Sequence, residues 1–180
     1  MRLSPDGWVD EARRVPSPNF DARPEFLQPT LIVLHGISLP PGRFSGDAIE
    51  RLFTNRLDAD AHPYFAGLRG LRVSAHFLVR RDGELLQFVS TAARAWHAGV
   101  SSWRGRERCN DAAIGIELEG TDAQPYEQAQ YASLARLLRA LSAALPLRGL
   151  AAHSDVAPGR KTDPGVAFGW AQALVALLQA

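Results

Sequence analysis

The sequence predicts an α/β fold: one domain spanning residues 1–180, with a mixed β-sheet flanked by helices. Three features point to it. LIVLH and AAIGIELEG read as strands with a buried face, a period-two segment runs into the hairpin signal Asp82-Gly83, and two C-terminal stretches carry apolar residues at helical spacing. A chain of 180 residues has the length of one ordinary domain, and 46% apolar residues with four Trp exclude a disordered chain. There is no internal repeat and no low-complexity linker.

In chain order, residues 1–29 hold Pro16, Pro18, Pro24 and Pro29 and read as an extended arm laid over the domain. Leu31 to Leu34 are apolar on both faces of a strand, the pattern of a central buried one, which ends at His35. Ser45 is placed to cap a helix through Leu57, with Ile49, Leu52 and Phe53 on one side. The segment Leu71 to Arg80 alternates, with Arg72, Ser74 and His76 on one face and Leu71, Val73, Ala75, Phe77 and Val79 on the other. Asp82-Gly83 then returns the chain as ELLQFV. Arg94 to Asp111 is polar and Gly/Arg-rich, a long surface loop. In AAIGIELEG, Ile114, Ile116 and Leu118 face inward and Glu117 and Glu119 share the opposite face. Pro125 starts an amphipathic helix with the stripe Leu134, Leu137, Leu138, Leu141 and Leu145. A short strand ends at His153, and a last helix presents Phe168, Ala171, Leu174, Val175 and Leu178.

Twenty basic against nineteen acidic residues leave a formal charge of +1, which gives no electrostatic reason for a nucleic-acid or anionic-membrane partner. Nineteen of the basic residues are Arg, and the single Lys is Lys161. Arg is always charged and planar, so a lone Lys in an Arg background marks a position suited to a compact donor. One cysteine, Cys109, makes no intrachain disulfide, and nothing around it in sequence lowers a thiol pKa. Met1 to Phe20 lacks the apolar stretch of a secretory signal, and no window approaches a membrane span, so a cytoplasmic protein is expected.

His35 and His153 both end strands, and Asp163 lies ten residues after His153 in a loop held by Pro158, Gly159, Pro164 and Gly165. Two imidazoles and a carboxylate on one rim give three ligands and an open position, the arrangement of a catalytic zinc site. The alternative is two hydrogen-bonded strand-end histidines and a turn-forming Asp before proline. Glu117 is aimed by its strand and suits a general base acting on a metal-activated water; the alternative is that Glu117 and Glu119 decorate a solvated face. Lys161, two residues before Asp163, suits a donor to an oxyanion, against the alternative of a surface lysine. Arg72, His76, Trp96, His97, Arg104, Arg106 and Arg108 suit a wall for a carboxylate-bearing substrate, or a solvated basic loop. His62 has no identifiable partner in the sequence.

The segments RRVPSPNFD, HGISLPPG, AHPYFAGLRGLRVSAHFLVRRDGELLQFV, RAWHAGVSSWRGRERCNDAAIGIELEGTD and HSDVAPGRKTDPG resemble, in order, the zinc-dependent N-acetylmuramoyl-L-alanine amidases related to peptidoglycan recognition proteins. The likeness is to the cytoplasmic branch that acts on anhydro-muropeptides. It implies a mixed sheet with one Zn²⁺ per chain in an edge cleft, held by His35, His153 and Asp163. Glu117 takes the role of base and proton shuttle and Lys161 that of oxyanion donor. Arg108 engages the stem-peptide carboxylate, and Arg72 and Trp96 line the cleft. The implied reaction cleaves the amide between the (1,6-anhydro-)N-acetylmuramyl lactyl group and L-alanine, in peptidoglycan recycling. A small soluble substrate and a monomer are implied, with no nucleic acid and no membrane. The alternatives are a non-catalytic peptidoglycan-binding module and an amidase acting on intact cell wall. Gly36, where relatives carry Asn, departs from the pattern beside the metal.

Overall fold

The computed structural model describes residues 1–179, with side chains to Val175. The strands are β1 (Arg13–Arg14), β2 (Phe20–Ala22), β3 (Leu31–Ile37), β4 (Phe77–Val79), β5 (Leu85–Gln87), β6 (Ala93–Ala95), β7 (Ser102–Trp103), β8 (Arg106–Glu107), β9 (Ala113–Glu119) and β10 (Gly149–Ala152). Helices are α1 (Ala48–Phe53), α2 (Pro63–Ala66), α3 (Gln128–Ala144), α4 (His153–Val156) and α5 (Trp170–Gln179). The main sheet runs β1-β5-β4-β9-β3-β10 and is mixed: β4, β9, β3 and β10 are parallel, while β4 and β5 form the antiparallel hairpin closed at Asp82-Gly83. Gly83 has φ 88°, a left-handed conformation that suits glycine in a tight turn.

Strand alternation sorts the sheet into two faces. On one, Ile32, Leu34, Phe77, Val79, Ile114, Ile116 and Leu118 pack beneath α3, whose Leu134, Leu137, Leu138 and Leu141 are buried. The other face meets α1 and α2 through Leu78, Leu86, Ile49, Leu52, Phe53 and Phe65. Its middle carries Val33, Ala113 and Ala151, covered by Ala98 and Cys109. His35 and Glu117 also point to this second face, and the parallel pairing of β3 with β9 places them opposite each other.

Several expectations change. Residues 1–29 are more than an overlay, because β1 pairs with β5 at the sheet edge and Val9 and Ala12 enter the core. Strand character begins only at Phe77; Leu71 and Arg72 are exposed coil, whereas Ser74 and His76 are buried, so the proposed shared face of Arg72 and His76 does not exist. Helix α1 starts at Ala48, since Ser45 (φ 93°) and Gly46 (φ 79°) are left-handed and cannot begin a helix; Ser45 therefore does not cap it. Helix α2 has a clear signal in retrospect: Pro63 follows His62, whose Nδ1 accepts the Tyr64 N–H at 3.1 Å. Helix α3 begins three residues past Pro125, behind a capping box of Glu127 and Gln130. The loop from Arg94 to Asp111 contains β7, β8 and part of β6, the last paired with β2. In the last helix Ala173 is buried while Leu174 and Val175 are exposed, against the expected stripe; Phe168 precedes the helix, and the side chain of Leu178 lies outside the described residues. No helix among the described residues is long and apolar enough to cross a membrane.

Candidate active site

At the C-terminal ends of β3 and β10 three donor atoms converge. His35 Nδ1 lies 2.9 Å from His153 Nδ1 and 3.3 Å from Asp163 Oδ2, and His153 Nδ1 lies 3.0 Å from the same oxygen. The local chain explains the convergence. His35 is the fifth residue of β3, and β10 delivers His153 as the first residue of α4, where Asp155 accepts the Ala152 N–H at 2.8 Å. The returning loop is tied to α4 because Ser154 N–H donates to the Asp163 carbonyl at 3.1 Å. Tyr126 Oη donates to the carbonyl of Pro164, at 3.0 Å, and anchors the other side of Asp163.

The contact between His153 and Asp163 is chemically specific. His153 Nε2 lies 3.2 Å from the Ala98 carbonyl, which only accepts, so the ring proton sits on Nε2. Nδ1 then presents a lone pair to a carboxylate oxygen 3.0 Å away, a contact made favourable by a cation between them, proton or metal. Two edges of the three-atom triangle are shorter than the about 3.3–3.6 Å edge of a tetrahedron with about 2.0–2.2 Å metal bonds and the third, 3.3 Å, already matches it, so the donor set fits one ion after small outward shifts.

The electrostatics of the site agree with that chemistry. Burial alone would raise the Asp163 pKa, but with a proton standing as the cation between its carboxylate and His153 and His35 the carboxyl is held well below the usual range. Burial pushes His35 down to about 4, with its contact to Asp163 opposing. Glu117 moves the other way: burial first, then the Asp163 charge, raise it well above the ordinary value, with Lys161 opposing. Glu117 is 8% exposed, and its Oε2 is buried without a hydrogen-bond partner. Its strand neighbour Glu119 is also buried, so the pair does not decorate a solvated face. Glu119 is fully engaged, by Arg80 at 3.4 Å, Ser45 N–H at 2.8 Å and Arg81 N–H at 3.3 Å. A buried carboxyl with an unpartnered oxygen beside a metal-competent cluster marks a candidate functional group.

A cleft of about 390 Å³ opens onto these groups. Its lining includes His35, His153, Asp163, Glu117, Lys161 and Trp96. The opposite flank is largely apolar, with Tyr64, Leu68, Leu71 and Val73. Residues 25–166 match the N-acetylmuramoyl-L-alanine amidase family. The chain belongs to this family.

Among its relatives, the 1,6-anhydro-N-acetylmuramyl-L-alanine amidase AmpD of Citrobacter freundii is 57% identical over 172 residues, covering 94% of this chain and 92% of that protein. A crystal structure of a selenomethionine AmpD derivative superposes with TM-score 0.96 at 55% identity, covering 98% of this chain and 99% of that one. The N-acetylmuramyl-L-alanine amidase AmiD from E. coli, in complex with the substrate anhydro-N-acetylmuramic acid-L-Ala-D-γ-Glu-L-Lys, matches with TM-score 0.60 at 30% identity, over 86% of this chain and 60% of that one.

Not every residue singled out in this amidase sequence reaches the cleft. Arg72 lines a neighbouring depression with Asn55, Asp58 and Arg69, because residues 71–75 leave the sheet before its pleat can aim the side chain. Arg108 is not among the residues lining the cleft; its side chain is 70% exposed and its Nε lies 3.3 Å from Asp111. His76 is buried and forms no wall for substrate, whereas His97 is half-buried and lines the cleft beside Trp96. Tyr64 and Tyr126 were not foreseen; the Pro-capped turn at His62 is the signal that would have located Tyr64.

Proposed function

We propose that this chain is a zinc-dependent amidase that hydrolyses the bond between the lactyl carbonyl of 1,6-anhydro-N-acetylmuramic acid and L-alanine in small soluble muropeptides. His35, His153 and Asp163 hold one Zn²⁺ per chain. When bound there, zinc polarises the scissile carbonyl and lowers the pKa of a water toward about 7. Glu117 accepts the proton of the attacking water as the carbon–oxygen bond forms, and later delivers it to the alanine nitrogen as the carbon–nitrogen bond breaks. Burial and the neighbouring Asp163 charge raise its pKa, which favours keeping the accepted proton on the carboxyl until the nitrogen takes it. Lys161, on the cleft lining, supplies positive charge where the carbonyl oxygen becomes negative. Trp96 and the apolar flank of Tyr64 and Leu71 give the sugar and stem a surface to rest on.

The observation that carries this reading is the buried Glu117 carboxylate, without a partner, facing the same cleft as three converging metal donors. A binding module without catalysis has no use for such a group. The same reading makes the enzyme a cytoplasmic monomer that acts in cell-wall recycling. The test compares soluble anhydro-muropeptide with intact sacculi as substrate, before and after removal of metal by a chelator. Zinc-restored hydrolysis of the soluble fragment, with little release from sacculi, is expected; undiminished hydrolysis after complete metal removal would overturn the zinc reading, and preference for sacculi the recycling one.

A further inference from the structure

Four of the five histidines stand in one line, His153, His35, His97 and His76, with successive ring centroids 4.3, 5.0 and 5.8 Å apart; all but the half-buried His97 are buried. The first two face the metal position. His97 is not among the three converging metal donors, yet its Nδ1 lies 2.9 Å from His35 Nε2. Its ring is held in place. A Cβ at Gly115 would lie 2.4 Å from His97 Cγ, so glycine there lets the ring lie against β9, while Asn110 Oδ1 accepts the His97 and Ala98 N–H groups at 3.3 and 2.8 Å.

An imidazole that binds metal through Nδ1 carries its proton on Nε2, and a partner for that proton fixes both tautomer and ring orientation. His153 has the Ala98 carbonyl for this purpose. His35 Nε2 faces His97 Nδ1 instead. His76 does not compete for that nitrogen: its Nδ1 accepts the Gly115 N–H at 3.0 Å, and its Nε2 is taken up by the Ala93 carbonyl and Arg23 Nη2, each at 3.1 Å. We propose that His97 is a positioning residue for the metal centre, its Nδ1 lone pair accepting the Nε2–H of His35 and so turning the His35 Nδ1 lone pair toward His153 and Asp163. The inference rests on the metal reading above. It requires the proton of His97 on Nε2, the buried nitrogen that has no hydrogen-bond partner.

Two measurements test it. In zinc-loaded wild-type protein labelled with nitrogen-15, two-bond nitrogen–proton correlations report ring tautomers; protons on Nε2 of both His35 and His97 are expected, and a proton on His97 Nδ1 would overturn the assignment without any variant. Zinc affinity, measured by competition with a chelator, supplies the second readout. His97→Phe keeps a ring but has no acceptor and is expected to bind zinc about 10–100-fold more weakly, whereas His97→Asn, whose Oδ1 takes the place of Nδ1, should stay within about threefold of wild type. Equal affinities in the two variants would overturn the role of His97 alone; failure of wild type to bind one zinc per chain would overturn the metal reading beneath it.

Discussion

Gly115→Ala probes how tightly the structure around the metal is packed. The added Cβ would stand 2.4 Å from His97 Cγ and 2.6 Å from its Cδ2 and Nδ1, where ordinary contact starts at 3.4 Å. The ring therefore retreats by about 1 Å, enough to break its 2.9 Å contact with His35. Overpacking of this kind costs about 1–3 kcal/mol, and a buried hydrogen bond lost with its groups still buried costs about 1–3 kcal/mol. The sum, about 2–6 kcal/mol, is a large share of the about 5–15 kcal/mol that holds a domain together. At about 2–4 °C per kcal/mol for a chain of this size, Tm falls by roughly 4–24 °C. Thermal and urea unfolding of metal-free protein measure it. His97→Ala opens the space that the new methyl group needs, so the double variant Gly115→Ala/His97→Ala should cost at least about 1 kcal/mol less than the two single variants added together. A Tm within about 1 °C of wild type for Gly115→Ala, or a strictly additive cycle, would refute the reasoning.

Four further outcomes follow from the same geometry. Glu119→Ala takes one of three carboxylates from Arg80 and leaves the Ser45 and Arg81 N–H groups without their acceptor, and should lower unfolding free energy by about 1–3 kcal/mol, with turnover per folded molecule and zinc content unchanged. His76 is pushed down to about 3 by burial and then by Arg23, so the unfolded chain takes its proton first; stability falls as pH drops from about 6.5 toward 3. His76→Asn should remove up to about 1.4 kcal/mol per pH unit from that slope in urea titrations, and parallel slopes would count against the burial of a neutral ring. Lys161→Arg keeps the charge but not the compact donor, and kcat should fall by about 10–1000-fold with zinc retained, as inductively coupled plasma analysis would report. Removing zinc with a chelator should lower Tm in a concentration-dependent way, by the equivalent of about 3–4 kcal/mol when free zinc had stood at about 100–1000 times Kd.

Much of the fold was legible because its signals are local. Periodicity in LIVLH and AAIGIELEG located β3 and β9, Asp82-Gly83 located the hairpin, and the Leu stripe located α3. Strand alternation also put Glu117 on the right face, although that face is buried and not solvated, because the 94–111 segment and α1 cover it. Strand-end position drew attention to His35 and His153, and the structure places both beside Asp163. What stayed hidden depends on partners far away in sequence. Glu117 and Glu119 are indistinguishable by pattern, and only Arg80, Ser45 and Arg81 around the second separate a structural carboxylate from a free one. Nothing in AWHAG reveals that His97 turns inward against Gly115, and alternation in LRVSAHFLV misplaced Arg72 because the strand starts six residues later than its pattern. Leu174 and Val175 look like a core stripe, yet the inward position is taken by Ala173.

The most direct test of the central claim pairs zinc content with turnover in Glu117→Gln, a change that keeps shape and removes the base. On a 1,6-anhydro-N-acetylmuramyl tripeptide, wild type should release peptide with one zinc per chain, and the variant should hold the same zinc while hydrolysing about 100–10,000-fold more slowly. A zinc-loaded Glu117→Gln protein that turns over at the wild-type rate would contradict the account.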